Sequence, residues 1–185
     1  MLVLFRVGQR HFNSLFGLIW AFAYSAGVLS FMYFKSGIID PWFNLFIFLG
    51  IYQFIRFIIA DEKRTKHIIL SSLFIGLGVL TKGPVALLLF LLVGFFYLIL
   101  NKFKLKIGVK DILIYALVLT FTGGFWFLLQ IVTGHWDVVV DFFVYQMRLA
   151  KHKDAGHGGF PGYHFVMILI GLFPISIFAI RSFRK

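Results

Sequence analysis

Long apolar runs alternate with short polar breaks along this chain, and few charges fall inside the runs. The runs approach twenty residues, the length that carries a helix through a ~30 Å hydrocarbon core. In order they predict about six transmembrane helices, over approximately 12–34, 42–60, 67–81, 84–100, 112–132 and 163–180. A long loop, 133–162, separates the last two. In the first run Gly17 and Gly27 suit close helix approach. The second opens on Asp40-Pro41, with Asp40 read as the N-cap and Pro41 as the first helical residue. Asp61 to Lys66 forms a solvated turn before a short third run, whose roughly 14 residues reach only ~21 Å. In the sixth run Gly171 and Pro174 are a kink signal. The predicted fold class is therefore all-α, a polytopic integral membrane protein with an amphipathic interfacial helix in the long loop.

One charge interrupts the apolar stretch from Ile68 to Leu100. Lys82 sits in Leu80-Thr81-Lys82-Gly83-Pro84. Pro84 cannot donate a backbone hydrogen bond, so one helix is expected to end near Leu80 and the next to begin at Pro84. A charge at membrane depth costs about 2.5–3.5 kcal/mol on insertion scales, which favours a functional role. The competing reading is a lysine that reaches headgroup phosphates from a helix end.

Composition agrees with a membrane protein: 61% of residues are hydrophobic and 14% charged. Cysteine is absent, which excludes disulfides and thiolate metal sites. The net charge of +11 is unevenly distributed. With six spans, only Lys35, Lys82, Arg148, Lys151 and Lys153 of the 18 basic residues fall on one side. The positive-inside rule makes that side the outer one. The basic excess is thus a topology signal and an attraction for anionic lipid, and no motif supports nucleic-acid binding. Asp40, Lys82 and the loop 133–162 all fall on the outer face.

Within that loop Asp137, Asp141, Tyr145, Arg148 and His152 recur at helical spacing and span roughly 80° of arc. Trp136, Val139, Val140, Phe143 and Met147 are assigned to the opposite arc. This is the pattern of a helix lying in the membrane interface. Its polar stripe is either a solvated face or an anion site in which Arg148 offers a phosphate-matching fork. Gly156-His157-Gly158-Gly159-Phe160-Pro161-Gly162 follows, and His157 is flanked by glycines that let backbone approach a ligand. His152, His157 and His164 match no standard zinc spacing, so no metal and no cofactor is expected. A divalent ion at Asp40 would need carboxylates from outside this chain. There is no Walker loop, dinucleotide fingerprint or nucleophile elbow.

Three elements, in their order along the chain, resemble a known family. The Thr81-Lys82-Gly83-Pro84 break, the acidic span start Gly37-Ile38-Ile39-Asp40-Pro41-Trp42-Phe43, and the loop Gly156-His157-Gly158-Gly159-Phe160-Pro161-Gly162-Tyr163 are similar to elements of GT-C type glycosyltransferases. The branch is that of protein O-mannosyltransferases and lipid A aminoarabinose transferases. The resemblance implies a multi-pass enzyme of the cytoplasmic (inner) membrane. Such an enzyme moves a hexose or pentose from a polyprenyl-phosphate donor to a lipid, protein or glycan acceptor at the outer face. It implies that Lys82, Arg148 and His157 bind the donor phosphate, with Thr81, Asp141 and Tyr145 in support. Asp40 would be a secondary acidic residue at the sugar or acceptor side. The family's principal catalytic Asp lies in an earlier outer loop with no counterpart here. The expectation is therefore that residues 1–185 are an internal part of the transmembrane core and inactive alone. Two further readings stand beside it: a transporter or flippase subunit for an anionic lipid, which a broken helix pair also suits, and an inactive membrane fragment.

Overall fold

The computed structural model describes residues 1–60, 64–102, 107–151, 162–173 and 175–182. Every regular element among them is an α-helix: α1 Leu2–His11, α2 Ser14–Ala26, α3 Val28–Lys35, α4 Asp40–Ile59, α5 Arg64–Lys82, α6 Val85–Leu100, α7 Val109–Gly123, α8 Phe125–Val132, α9 Trp136–Lys151, α10 Tyr163–Gly171 and α11 Ile175–Ser182. They divide into two units, one of Met1–Pro41 with Lys151–Lys185, the other of Trp42–Ala150.

In the first unit α1 and α2 form a hairpin closed by glycines. A Cβ on Gly8 would stand 2.7 Å from the Gly17 Cα, so only hydrogen fits at the crossing. Asn13 caps α2 by accepting from the Phe16 N–H at 2.7 Å. The expected single helix over 12–34 is broken instead. Gly27 adopts ψ 130°, and α2 and α3 meet at a 64° bend. The Val28 N–H leaves the helical ladder and donates to the Phe173 carbonyl at 3.4 Å, so a neighbouring segment satisfies the group that the bend frees. A Cβ on Gly171 would lie 3.0 Å from the Leu29 Cβ, which brings α10 onto α3.

In the second unit α5 is the central helix. Ile68, Ser71, Ser72, Ile75, Gly76 and Gly78 are all buried along it. Lipid supplies no hydrophobic drive between helices, so close approach of small residues does much of the work. Gly76 and Gly123 abut where α5 crosses α7, with 3.3 Å between the Gly76 Cα and the place a Gly123 Cβ would take. Gly50 of α4 faces Ile75, and the Ser71 hydroxyl donates to the Gly50 carbonyl at 2.8 Å. Ala86 of α6 meets Gly78. His67, 7% exposed, pairs its Nδ1 with the Gln53 side-chain oxygen at 2.8 Å. Phe54, Phe90 and Tyr115 link α4, α6 and α7 as a column of rings, at 5.1 and 5.3 Å. Large apolar side chains of α6 such as Leu88, Leu91 and Phe96 point outward, the inverse of a water-soluble core.

Two further expectations change. α5 runs from Arg64 to Lys82 and so reaches about 28 Å, longer than the short run 67–81 suggested. The stretch 112–132 bends by 61° between α7 and α8, at Gly124. Among the described residues, by length and composition, α4 is the one unbroken candidate span, and the α2–α3 and α7–α8 pairs qualify as bent ones. α6, at 16 residues, is apolar but shorter.

Candidate functional site

The site is built on the α5–α6 break. α5 ends at Lys82, and Gly83 takes φ +75°, the left-handed conformation that favours glycine. Its N–H donates to the Val79 carbonyl at 2.7 Å, closing the helix end. Pro84 then leads into α6, where its missing N–H costs nothing. The expected break is therefore present, two residues later on the α5 side than Leu80.

Lys82 is exposed, and its Nζ stands 5.3 Å from the centroid of the Phe43 ring. Phe43, 6% exposed, belongs to the first turn of α4. A cation over an aromatic face gains about 0.5–2 kcal/mol. Thr81 turns its hydroxyl back to the Gly78 carbonyl at 2.7 Å.

α9 covers the other side of the break. The edge of the Phe142 ring lies 2.9 Å from where a Gly83 Cβ would be, and the Gln146 side-chain nitrogen lies at 3.7 Å. Phe142 is held by rings of α8 and its own neighbour: Phe127 at 5.2 Å, Trp126 at 6.1 Å and Phe143 at 5.7 Å. Val139 of the same face is buried. The packed face of α9 is thus Val139, Phe142 and Gln146, with Phe143 at its margin stacked on Phe127 at 5.8 Å. Of the expected apolar arc, Val139 is buried and Phe143 stacks on Phe127, while Trp136, Val140 and Met147 are exposed at 59%, 42% and 55%. The ring cluster on α8 rotates the buried face toward Phe142 and leaves those three outside.

The predicted site residues divide accordingly. Lys82 and Thr81 are at the break, and α9 lies against it. Asp141, Tyr145 and Arg148 are exposed on α9, on an arc turned away from Phe142 and Gln146 by helical periodicity. The Arg148 guanidinium lies 5.8 Å from the centroid of the Tyr145 ring. Asp40 is half-buried in the first turn of α4, where the helix dipole favours a carboxylate. His157 lies outside the described residues, as does His152. Among the described residues no cluster of three or more His, Cys, Asp or Glu could hold a metal ion. Sequence reasoning missed Phe43, Phe142 and Gln146. The four-residue step from Phe142 to Gln146 was the available signal, masked by the more regular polar stripe beside it.

The family model for dolichyl-phosphate-mannose-protein mannosyltransferase matches residues 1–126, which includes α4, α5, the break and α6. No curated protein and no solved structure matches the chain.

Proposed function

This chain belongs to the dolichyl-phosphate-mannose-protein mannosyltransferase family, a family of membrane glycosyltransferases, and from that membership we propose that Lys82 binds the phosphate of a polyprenyl-phosphate-linked sugar donor. The reaction is transfer of a hexose or pentose to a lipid, protein or glycan acceptor. It takes place at the outer face of the cytoplasmic membrane, which a multi-pass chain oriented by its basic loops would present.

The chemistry assigns roles. The acceptor hydroxyl attacks the anomeric carbon, the bond from that carbon to the phosphate oxygen breaks, and the lipid phosphate departs with its charge. A fixed cation beside the departing oxygen stabilises that charge most where water is sparse. Lys82 meets this need from a helix break, with its ammonium steadied over Phe43. The acceptor proton needs a carboxylate, and Asp40 is the acidic residue we assign to the sugar or acceptor side. Asp141, Tyr145 and Arg148 share an exposed stripe of α9 turned away from the break, so we assign the phosphate to Lys82 and not to Arg148. No metal or cofactor enters this scheme.

The observation that carries the reading is the cation at the break, inside the family match and under α9. The test is transfer of labelled mannose from a polyprenyl phosphate in native membranes containing the protein. Lys82→Ala should reduce transfer by about 10²–10³-fold, the usual effect of removing one charge-stabilising group. Lys82→Arg should retain part of it. Full turnover in Lys82→Ala would end the assignment.

A further inference from the structure

Gln146 is the polar member of a face that otherwise carries Val139 and Phe142. A helix that only needed to pack against the α5–α6 turn would be served by an apolar residue here. Phe142 and Gln146 are one helical turn apart, so both point at the same patch, and both reach Gly83. The carboxamide nitrogen stands 3.7 Å from the place a Gly83 Cβ would take, one residue from Lys82. Gln146 is half-buried, yet no hydrogen bond to its carboxamide is present among the described residues. The neighbouring rings fix Phe142, so the amide is held beside the turn by the same helix register.

We propose that Gln146 is a second ligand of the anion bound at Lys82: its side-chain amide donates a hydrogen bond to an oxygen of the phosphate. This rests on the donor-phosphate reading of Lys82 and adds to it a residue from α9. The two groups recognise different properties. Lys82 supplies a point charge that salt screens, whereas a neutral amide supplies direction that salt hardly affects. The amide rotates about its last torsion, so its NH2 can face the ligand whichever way it rests in the free protein. The ligand class is a phosphate monoester or diester on a lipid alcohol. Such a group also occurs on membrane phospholipids, so the test must separate the two sources.

The test is binding to the intact protein in lipid nanodiscs, with undecaprenyl phosphate, phosphatidic acid and undecaprenol as probes. Gln146→Leu, similar in volume but without a donor, should weaken undecaprenyl phosphate binding about tenfold, as loss of a hydrogen bond to a charged group does. It should leave undecaprenol binding unchanged, and the loss should be the same at low and high salt. Gln146→Glu should weaken binding further, because a carboxylate beside Lys82 competes with the phosphate. If Gln146→Leu fails to fold, Gln146→Met replaces it, with Gln146→Glu as the second variant. Wild-type affinity in both Gln146 variants while Lys82→Ala loses binding would overturn the role of Gln146 and leave Lys82 standing. Wild-type affinity in Lys82→Ala would instead overturn the phosphate site on which this rests. An equal loss with phosphatidic acid would overturn the donor as the ligand.

Discussion

Replacing Gly83 by alanine tests how the break is held. Two penalties add. An L-residue forced to φ +75° pays about 1–2 kcal/mol in the left-handed region. The new Cβ would also stand 2.9 Å from the Phe142 ring edge, so the ring must retreat by about 0.5 Å to reach an ordinary 3.4 Å contact. That motion loosens Phe142 from Phe127, Trp126 and Phe143. Such ring pairs contribute ~0.5–1.5 kcal/mol each, so partial loss costs about 1 kcal/mol. Gly83→Ala should therefore lower stability by about 2–3 kcal/mol. Gly94→Ala is the control: it lies inside α6 with nothing within 4 Å of its Cβ position. It should be neutral or stabilising by up to about 1 kcal/mol. Unfolding in mild detergent titrated with SDS, followed by tryptophan fluorescence, reads both, since Trp126 reports on the ring cluster. Asparagine tolerates the left-handed region better than alanine, so Gly83→Asn should recover part of the backbone penalty and none of the ring contact. The double variant Gly83→Ala/Phe142→Ala isolates the contact in a cycle. Equal stability of Gly83→Ala and Gly94→Ala would refute the reasoning, because neither the conformation nor the contact would then matter.

Two more substitutions probe the scaffold beneath the break. Gly76→Ala would drive its Cβ into the Thr122 side chain and to 3.0 Å from the Gly123 nitrogen. It should destabilise by about 1–3 kcal/mol, with partial recovery when Thr122→Ala is added, read by the same SDS titration. Ser71→Ala removes the hydroxyl bound to the Gly50 carbonyl at 2.8 Å. Interhelical hydrogen bonds in membranes average ~0.6 kcal/mol and reach ~1.7, so a loss in that range is expected.

The helical class and the break at Gly83-Pro84 were legible because they rest on local rules: run length, the missing N–H of proline and the cost of a charge at membrane depth. What escaped depends on neighbours. Gly17 and Gly27 look alike in sequence and both meet another helix, yet Gly27 also turns the chain, with a Cβ there standing 3.5 Å from the Gly171 carbonyl oxygen. The difference lies in whether a distant carbonyl, here that of Phe173, takes up the freed Val28 N–H. Gly123 and Gly124 divide the same two tasks within adjacent positions: the first meets Gly76, and the second is where α7 ends. Periodicity ranks residues by polarity, so it separates the polar stripe of α9 from the apolar arc without finding the face that packs on the break. The structure instead seats Phe142 among the rings of α8, which turns Gln146 inward and Trp136 outward. The polar stripe of Asp141, Tyr145 and Arg148 was easy to read, but it is the packed face, not the stripe, that meets Gly83.

The central claim is that a lipid phosphate binds at Lys82, beneath α9. Photolabelling tests it most directly, with an undecaprenyl phosphate analogue carrying a photoreactive group near the phosphate, applied to the protein in its membrane and mapped by peptide mass spectrometry. The account predicts label in the segment around Lys82–Pro84 and in the α9 segment around Phe142–Gln146, displaced by undecaprenyl phosphate but not by undecaprenol, and lost in Lys82→Ala. Labelling of those segments that persists in Lys82→Ala, or that undecaprenol displaces equally well, would contradict it.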